Sequence, residues 1–310
     1  MWTCGEMKRE GWSKLKGSFW TAVLVTLVFV FITSLIPVLQ NAINVIKMRL
    51  QYPGNLSDVL SNYFDAASDI RTVNTGAELM MINILQSLVG FLAIAATFFL
   101  VNPLSVGYSR WFLTNRREEG NTGLHLLFSS FQQGSYVGIL AGTAWMSLWT
   151  ILWSWVAGLC FIPLYGVIIA AIFTAIFKLG TYTGMSTSPD PYEFINSFKD
   201  IAPGFIVAAA ALFLAGLIGY AIIMLNRKYA YIFTHFILAE NPTIGASNAL
   251  NLSKRMAQGI KKKLFVLDLS FIGWWLLSSL TCGILSLGIS PYIQATYTEV
   301  YISRKAEQHL

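Results

Sequence analysis

The sequence is poor in charge and in the residue types that usually carry catalysis. Charged residues make up 12% of its 310 residues, about half of their share in soluble domains. It has three histidines and three cysteines, and no metalloprotease, nucleophile-elbow, nucleotide-binding or calcium-binding motif is present. A soluble globular protein is therefore excluded, and we expect that the protein is not an enzyme.

Disulfides, metals and cofactors are also without support in the sequence. Cys4, Cys160 and Cys282 are far apart, lie in or near apolar segments and form no CxxC pair, so they indicate neither a disulfide framework nor a metal site. We expect no cofactor. The formal net charge of +6 comes from basic residues beside apolar segments, which argues against nucleic acid and favours anionic lipid headgroups as partners.

Long apolar runs are abundant. Hydrophobic residues make up 55% of the chain, and the mean hydropathy is +0.59. A run of about 20 residues crosses a hydrocarbon core of about 30 Å as a helix. The sequence predicts an all-α, polytopic transmembrane helical bundle, with residues 1–310 as a single integral membrane domain. The predicted spans lie near residues 19–39, 79–101, 136–160, 205–225, 264–282 and 286–303.

Two features decide the number of spans. The last two spans are separated by TCGILSLGISP, whose glycines and proline predict a tight helical hairpin. Residues 163–178 are apolar and follow the third span directly, so they either extend that helix or cross separately. The first reading gives six spans, which we favour. In the second reading KYAYIFTHFILAE, which follows Arg227, must cross as well, which gives eight. Residues 47–78 and 180–203 would form outward loops.

Basic residues are distributed unevenly between the two sides of the six-span topology. Sixteen of the twenty-one Lys and Arg residues lie in the N-terminal segment, residues 102–135, residues 226–263 and the C-terminal tail. Positive residues are enriched on the cytoplasmic side of membrane proteins. We therefore expect both termini to be cytoplasmic.

A polar segment, ILAENPTIGASNALNLSKRMAQGIKKK, occupies Ile237–Lys263. Asn241 followed by Pro242 predicts the start of an amphipathic helix of about 17 residues on the cytoplasmic surface. This helix either connects spans or is recognised by a lipid or a protein partner. The candidate anchors for lipid headgroups are Lys254, Arg255, Lys261, Lys262 and Lys263.

Two acidic residues fall within predicted spans, where burial of a charge costs several kcal/mol. Asp268 and Glu299 belong to the final hairpin, and we expect them at a similar membrane depth. They predict either a proton or cation site or an interfacial ion-pair network. A stripe of Trp145, Trp149 and Trp153 on one helix predicts either an apolar groove for a lipid-like ligand or helix packing.

Several motifs carry a resemblance to a known family. ILAENP, the SKRM helix, LFVLDLSFIGWWLLSSLTCGI and PYIQATYTEVY resemble the C-terminal half of the bacterial membrane family "domain of unknown function 975". VNPLSVGYSRWFL and LWTILWSWVAGLCFIP resemble earlier parts of it, and residues 164–225 look like an insertion. The resemblance implies a multi-pass protein of the bacterial inner membrane and brings no catalytic residues.

These observations support two expectations about function. The first is a non-catalytic role in envelope homeostasis or as an accessory of a membrane protein complex. The alternative is a transporter or binding protein for a lipid-like or small amphipathic substrate, with Asp268, Glu299 and the tryptophan stripe lining its path.

Overall fold

The computed structural model describes residues 2–51, 76–118, 122–132, 134–183 and 202–308, and every regular element in these ranges is helical. The predicted outward loops, 47–78 and 180–203, lie mostly outside the described residues. The helices are α1 (Cys4–Leu15), α2 (Phe19–Gln51), α3 (Gly76–Ala96), α4 (Asn102–Arg117), α5 (Tyr136–Gly158), α6 (Ile162–Thr183), α7 (Ala202–Tyr231), α8 (Thr234–Glu240), α9 (Ala246–Ala257), α10 (Lys261–Leu269), α11 (Ile272–Leu280) and α12 (Ser286–Glu307).

Several helices join into longer rods. A π-helical turn at Thr97–Val101 connects α3 to α4, and a 3₁₀ turn at Leu159–Phe161 connects α5 to α6. Five helical stretches of the described chain are long and apolar enough to cross a membrane, which confirms the predicted all-α polytopic architecture. They are Cys4–Lys47, Met80–Arg117, Tyr136–Thr174, Pro203–Glu240 and Lys261–Leu280.

The apolar segment after the third predicted span continues in the direction of α5. Trp153 of α5 contacts Arg227, near the C-terminal end of α7. Phe161, which comes later in the chain, contacts Phe213, nearer the N-terminal end of α7. The next helix, α6, packs along the same α7. Pro163 is the second residue of α6, where a missing N–H breaks no hydrogen bond within that helix. The chain therefore runs antiparallel to α7 through both α5 and α6.

The C-terminal region forms the predicted helical hairpin. Its turn contains Cys282 and Gly283, both with positive φ values, 51° and 83°. Across the hairpin, the Tyr297 hydroxyl donates to Asp268, and Tyr292 meets Phe271 edge to face. Helix α12 is not among the five apolar stretches. It is enclosed by other helices, because it packs against α1, α2 and α4 as well as α11.

The buried core is concentrated toward one end of the bundle. There Leu113, Phe233 and Val300 come together from α4, the α7–α8 turn and α12. Elsewhere, the long helices expose apolar side chains such as Leu39 and Ile169, which are 56% and 65% exposed. A helix can present such a face to lipid because all its backbone polar groups are bonded internally.

The predicted start of the polar helix is wrong. Helix α9 begins at Ala246 and has 12 residues. Asn241 instead closes a local turn, because its side-chain oxygen accepts hydrogen bonds from the backbone N–H and the hydroxyl of Thr243. The chain then passes through Gly245 at φ +89°. An asparagine serves helix caps and turns equally well, so the sequence signal was ambiguous.

Candidate functional site

A half-open cavity of about 870 Å³, which we call the central cavity, lies between helices of the bundle. Helices α2, α4, α5, α7, α8, α10, α11 and α12 all contribute to its wall, so residues distant in sequence meet there. Its size is within the range of small-molecule sites, roughly 300–1,000 Å³. Most of the wall is apolar, formed by Phe29, Tyr108, Met146, Met224, Tyr231, Ile232, Phe236, Phe271, Trp275 and Ile293.

Charged groups line one part of this wall. Arg227 and Lys228 come from α7, and Asp268 comes from α10. The Arg227 guanidinium lies 3.3 Å from the ring centre of Trp153, so a cation–π contact holds it in place. Among the described side chains, no carboxylate lies within 4 Å of Arg227. The arrangement suits a ligand with an apolar body and an anionic group.

Asp268 is held by three donors from two other helices. Lys228 Nζ donates to one carboxylate oxygen at 2.5 Å and the Tyr229 hydroxyl to the same oxygen at 2.8 Å, while Tyr297 donates to the other oxygen. Lys261, near the start of the same helix, bonds to Asn226 Oδ1 at 2.7 Å. Asp268 therefore joins α7, α10 and α12 at the cavity wall.

Glu299 belongs to a different contact. It is 4% exposed and accepts a hydrogen bond from Arg116 Nε at 3.1 Å. It does not line the central cavity but a small crevice beside Lys14 of α1. Residues 297 and 299 of α12 point about 200° apart, so Asp268, which bonds to Tyr297, and Glu299 do not form one site.

Glu240 is the acceptor that the sequence did not single out. Arg117 donates to one of its oxygens, and Lys305 Nζ and the Tyr301 hydroxyl donate to the other at 2.6 and 2.7 Å. We call Arg116, Arg117, Glu240, Glu299 and Lys305 the ionic layer. It joins α4, α8 and α12 at one end of the bundle.

Arg110 of α4 links three segments. Its Nε donates to the carbonyl of Ala239 at 2.9 Å, and its Nη1 donates to the hydroxyl of Ser129 at 3.0 Å. A guanidinium can serve two acceptors in fixed directions. The last turn of α8 is thereby tied to α4 and to the 3₁₀ segment Leu124–Phe131.

The tryptophan stripe packs mainly against protein. Trp149 and Trp153 contact the buried cluster of Ala230, Tyr231 and Leu250, and Trp145 meets Trp149 edge to face. None of the three lines the central cavity. Trp153 therefore supports Arg227, and the stripe does not itself form the cavity wall.

The candidate headgroup anchors are spread over two helices. On α9, Lys254 lies 5.7 Å from the ring centre of Trp149, and Arg255 is exposed. On α10, Lys262 is exposed, whereas Lys263 donates to the carbonyl of Trp2 at 3.3 Å. Only part of the predicted basic group is therefore available to lipid.

A metal centre has no support among the side chains described. Within those ranges, no three His, Cys, Asp or Glu residues lie close enough together to hold a metal ion. His235 lines the cavity, and no other histidine does. The polar residues of the wall are suited to binding and orienting a ligand.

Five helical stretches long and apolar enough to cross a membrane define the class, which is a multi-pass helical membrane protein. The chain belongs to the family described as Protein of unknown function (DUF975), whose model matches residues 1–307. The match includes residues 164–225, which the sequence motifs suggested were an insertion. No curated protein and no solved structure matches the chain.

Proposed function

We propose that this protein binds a lipid-like amphipathic molecule in its central cavity, as a non-catalytic binding protein or transporter of a bacterial cell membrane. The observation that carries the proposal is the cavity itself. Its volume is about 870 Å³, and apolar side chains form most of its wall. Such a space in the interior of a membrane protein is suited to an acyl chain or a similar apolar body.

The charged part of the wall supports an anionic ligand. Arg227 offers guanidinium N–H groups, which form paired hydrogen bonds with phosphate or carboxylate. Lys228 is already bound to Asp268, so Arg227 is the main ligand-binding cation. The apolar body would then extend toward Trp275 and Phe29.

The proposed orientation places the ionic layer at the cytoplasmic surface of the inner membrane, with both termini on that side. The enrichment of basic residues in the N-terminal segment, residues 226–263 and the C-terminal tail supports this orientation. Helix α9 would lie at the same surface. Its buried residues include Leu250 and Met256, while Asn248 and Arg255 are exposed, so it has the two faces of an amphipathic helix.

A role in envelope homeostasis, or as an accessory of a membrane complex, is the wider setting that we propose for this binding activity. A protein that retains or moves an anionic amphiphile acts on membrane composition without chemical conversion. Lipid binding in the cavity would need no protein partner, whereas an accessory role would require one. If one protein co-purifies stoichiometrically, and still does so when a bulky substitution fills the cavity, the accessory role alone would be favoured.

The test is lipid analysis of gently solubilised protein, with two matched tryptophan variants of α5. Thr150 lines the cavity, whereas Leu148 is 47% exposed on the outer face of the same helix. Thr150→Trp is expected to remove a bound anionic amphiphile that the wild type and Leu148→Trp retain. Identical lipid content in all three proteins would contradict the proposal.

A further inference from the structure

A second pocket, of about 330 Å³, lies between α2 and α3. Its wall contains four carboxamide side chains: Gln40, Asn41, Asn44 and Gln86. It shares no lining residue with the central cavity. The binding activity proposed above does not use it, so its polar wall needs a separate explanation.

Lys47 adds a positive charge beside this pocket. Its Nζ donates to Asn83 Oδ1 at 2.8 Å and to Gln86 Oε1 at 3.0 Å, and Gln86 Nε2 donates to Asn44 Oδ1 at 2.8 Å. These acceptors are neutral amides. No carboxylate of the described side chains lies within 4 Å of Lys47. An ammonium group has three donors, so one remains for an anion.

The pocket lies far from the ionic layer along the bundle. Ser18, immediately before α2, accepts a hydrogen bond from Asn115, which precedes Arg116 in α4. Gln40 is 21 residues beyond Phe19, or about 32 Å along the helix. A hydrocarbon core is about 30 Å thick. The pocket is therefore at headgroup depth on the side of the membrane opposite the ionic layer.

Neighbouring residues keep the pocket open and polar. Pro37 lines the pocket and has no backbone N–H group. The carbonyl of Thr33 therefore lacks its helical hydrogen-bond donor and is a further acceptor near the pocket. Gly90 lines the opposite side, and a Cβ atom added there would meet nothing within 4 Å. Asn41 and Asn44 are exposed at this depth, so their amide groups are accessible to a bound headgroup.

We propose that this α2–α3 pocket binds the phosphate group of a phospholipid in the leaflet opposite the ionic layer. Lys47 contributes the positive charge, and the carboxamides donate N–H groups to phosphate oxygens. The acyl chains would lie against the exposed apolar faces of α2 and α3, where Leu39 and Leu85 are 56% and 53% exposed. This site is separate from the central cavity.

The test uses the full chain in detergent micelles, titrated with dioleoyl phosphatidylglycerol and followed by native mass spectrometry. Gly90→Leu fills the pocket from the side of α3 and keeps Lys47, and Lys47→Met removes the charge. Gly166→Leu is the matched control, because Gly166 of α6 also has open space at its Cβ position and lines neither pocket. Thermal unfolding of each variant checks that it is folded.

Gly90→Leu is expected to lose one lipid-binding event, and Lys47→Met to weaken that event by at least about tenfold, as for loss of a charged hydrogen bond. Gly166→Leu should bind like the wild type. Thr150→Trp should keep this event, so failure of the central-cavity proposal is distinguishable from failure of this one. If Gly90→Leu and Lys47→Met both bind the lipid as the wild type does, the proposed site is wrong. If glycerol 3-phosphate competes for this site as effectively as the phospholipid does, the ligand is a free phosphate ester and the lipid assignment is wrong.

Discussion

Each acidic residue in the interior of the bundle is bonded to residues of other helices. Asp268 is bonded to Lys228, Tyr229 and Tyr297, and Glu299 to Arg116. The sequence identified both acids because charges within apolar segments are costly. It did not identify their partners, since these come from residues 40 and 183 positions away, and helical periodicity carries no information on the register between distant helices.

Replacement of Glu299 by glutamine tests the buried ion pair. Glu299→Gln should lower the free energy of unfolding by about 1–3 kcal/mol, because the pair with Arg116 is lost at a position where the side chain of residue 299 is only 5% exposed. The matched control is Glu307→Gln, because Glu307 is exposed and its partner Arg304 is three residues away on the same helix; this change should alter stability by less than about 0.5 kcal/mol. Unfolding by dodecyl sulfate in mixed micelles measures both values. Equal effects would contradict the account.

Gly107 tests the close approach of α4 to the 3₁₀ segment Leu124–Phe131. A Cβ atom at this position would lie 2.0 Å from the carbonyl oxygen of Leu127, so Gly107→Ala must displace backbone. We expect a loss of about 1–3 kcal/mol of stability. Gly166→Ala, where the added Cβ meets nothing within 4 Å, should be neutral or slightly stabilising because alanine favours helix. The same unfolding assay compares the two variants.

At the scale of the helices, α9 is attached to its surroundings along one face and at its C-terminal end. Ser253 is fully buried, donates to the carbonyl of Ala230 at 2.9 Å and accepts from the N–H of Phe233. Arg304 of α12 donates to the carbonyls of Met256 and Gln258, each at 3.0 Å. The buried face was predictable from helical spacing. The exact start was not, because an Asn-Pro pair fits a turn as well as a helix.

Arg304→Ala should loosen the C-terminal end of α9. The two carbonyls lose charged donors, so we expect the amide protons of the last turn of α9 to exchange about tenfold faster, which corresponds to about 1.4 kcal/mol. Hydrogen–deuterium exchange with peptide resolution measures this effect. Lys262→Ala, at an exposed position of α10, is the control. Unchanged exchange in α9 of Arg304→Ala would show that its attachment depends on other contacts.

At the scale of the whole molecule, the sequence predicted the all-α polytopic class and the C-terminal hairpin, because long apolar runs and turn residues are local signals. It did not predict the central cavity. That space is defined by side chains of eight helices, from Phe29 to Tyr297, and its shape depends on packing. Arg227 was included only in a charge count, and nothing local distinguishes it from its neighbour Lys228.

Cysteine labelling tests the topology of the whole chain. In a background without Cys4, Cys160 and Cys282, one cysteine would replace Asn251, which is exposed on α9, and another would replace Thr187, which lies outside the described residues. The continuous path of α5 and α6 along α7 predicts the six-span arrangement. An impermeant maleimide should then label the two positions from opposite sides of the membrane. Labelling from the same side would support eight spans.

Binding of an anionic amphiphile in the central cavity is the main functional proposal, and photocrosslinking tests it most directly. A phospholipid with a diazirine in its acyl chain would be incorporated into membranes that contain the protein, irradiated, and its adducts mapped by peptide mass spectrometry. The account predicts adducts on the cavity residues Met146, Met224 and Ile293. Adducts only on outward-facing residues such as Leu148 and Ile222, which are 47% and 64% exposed, would contradict it.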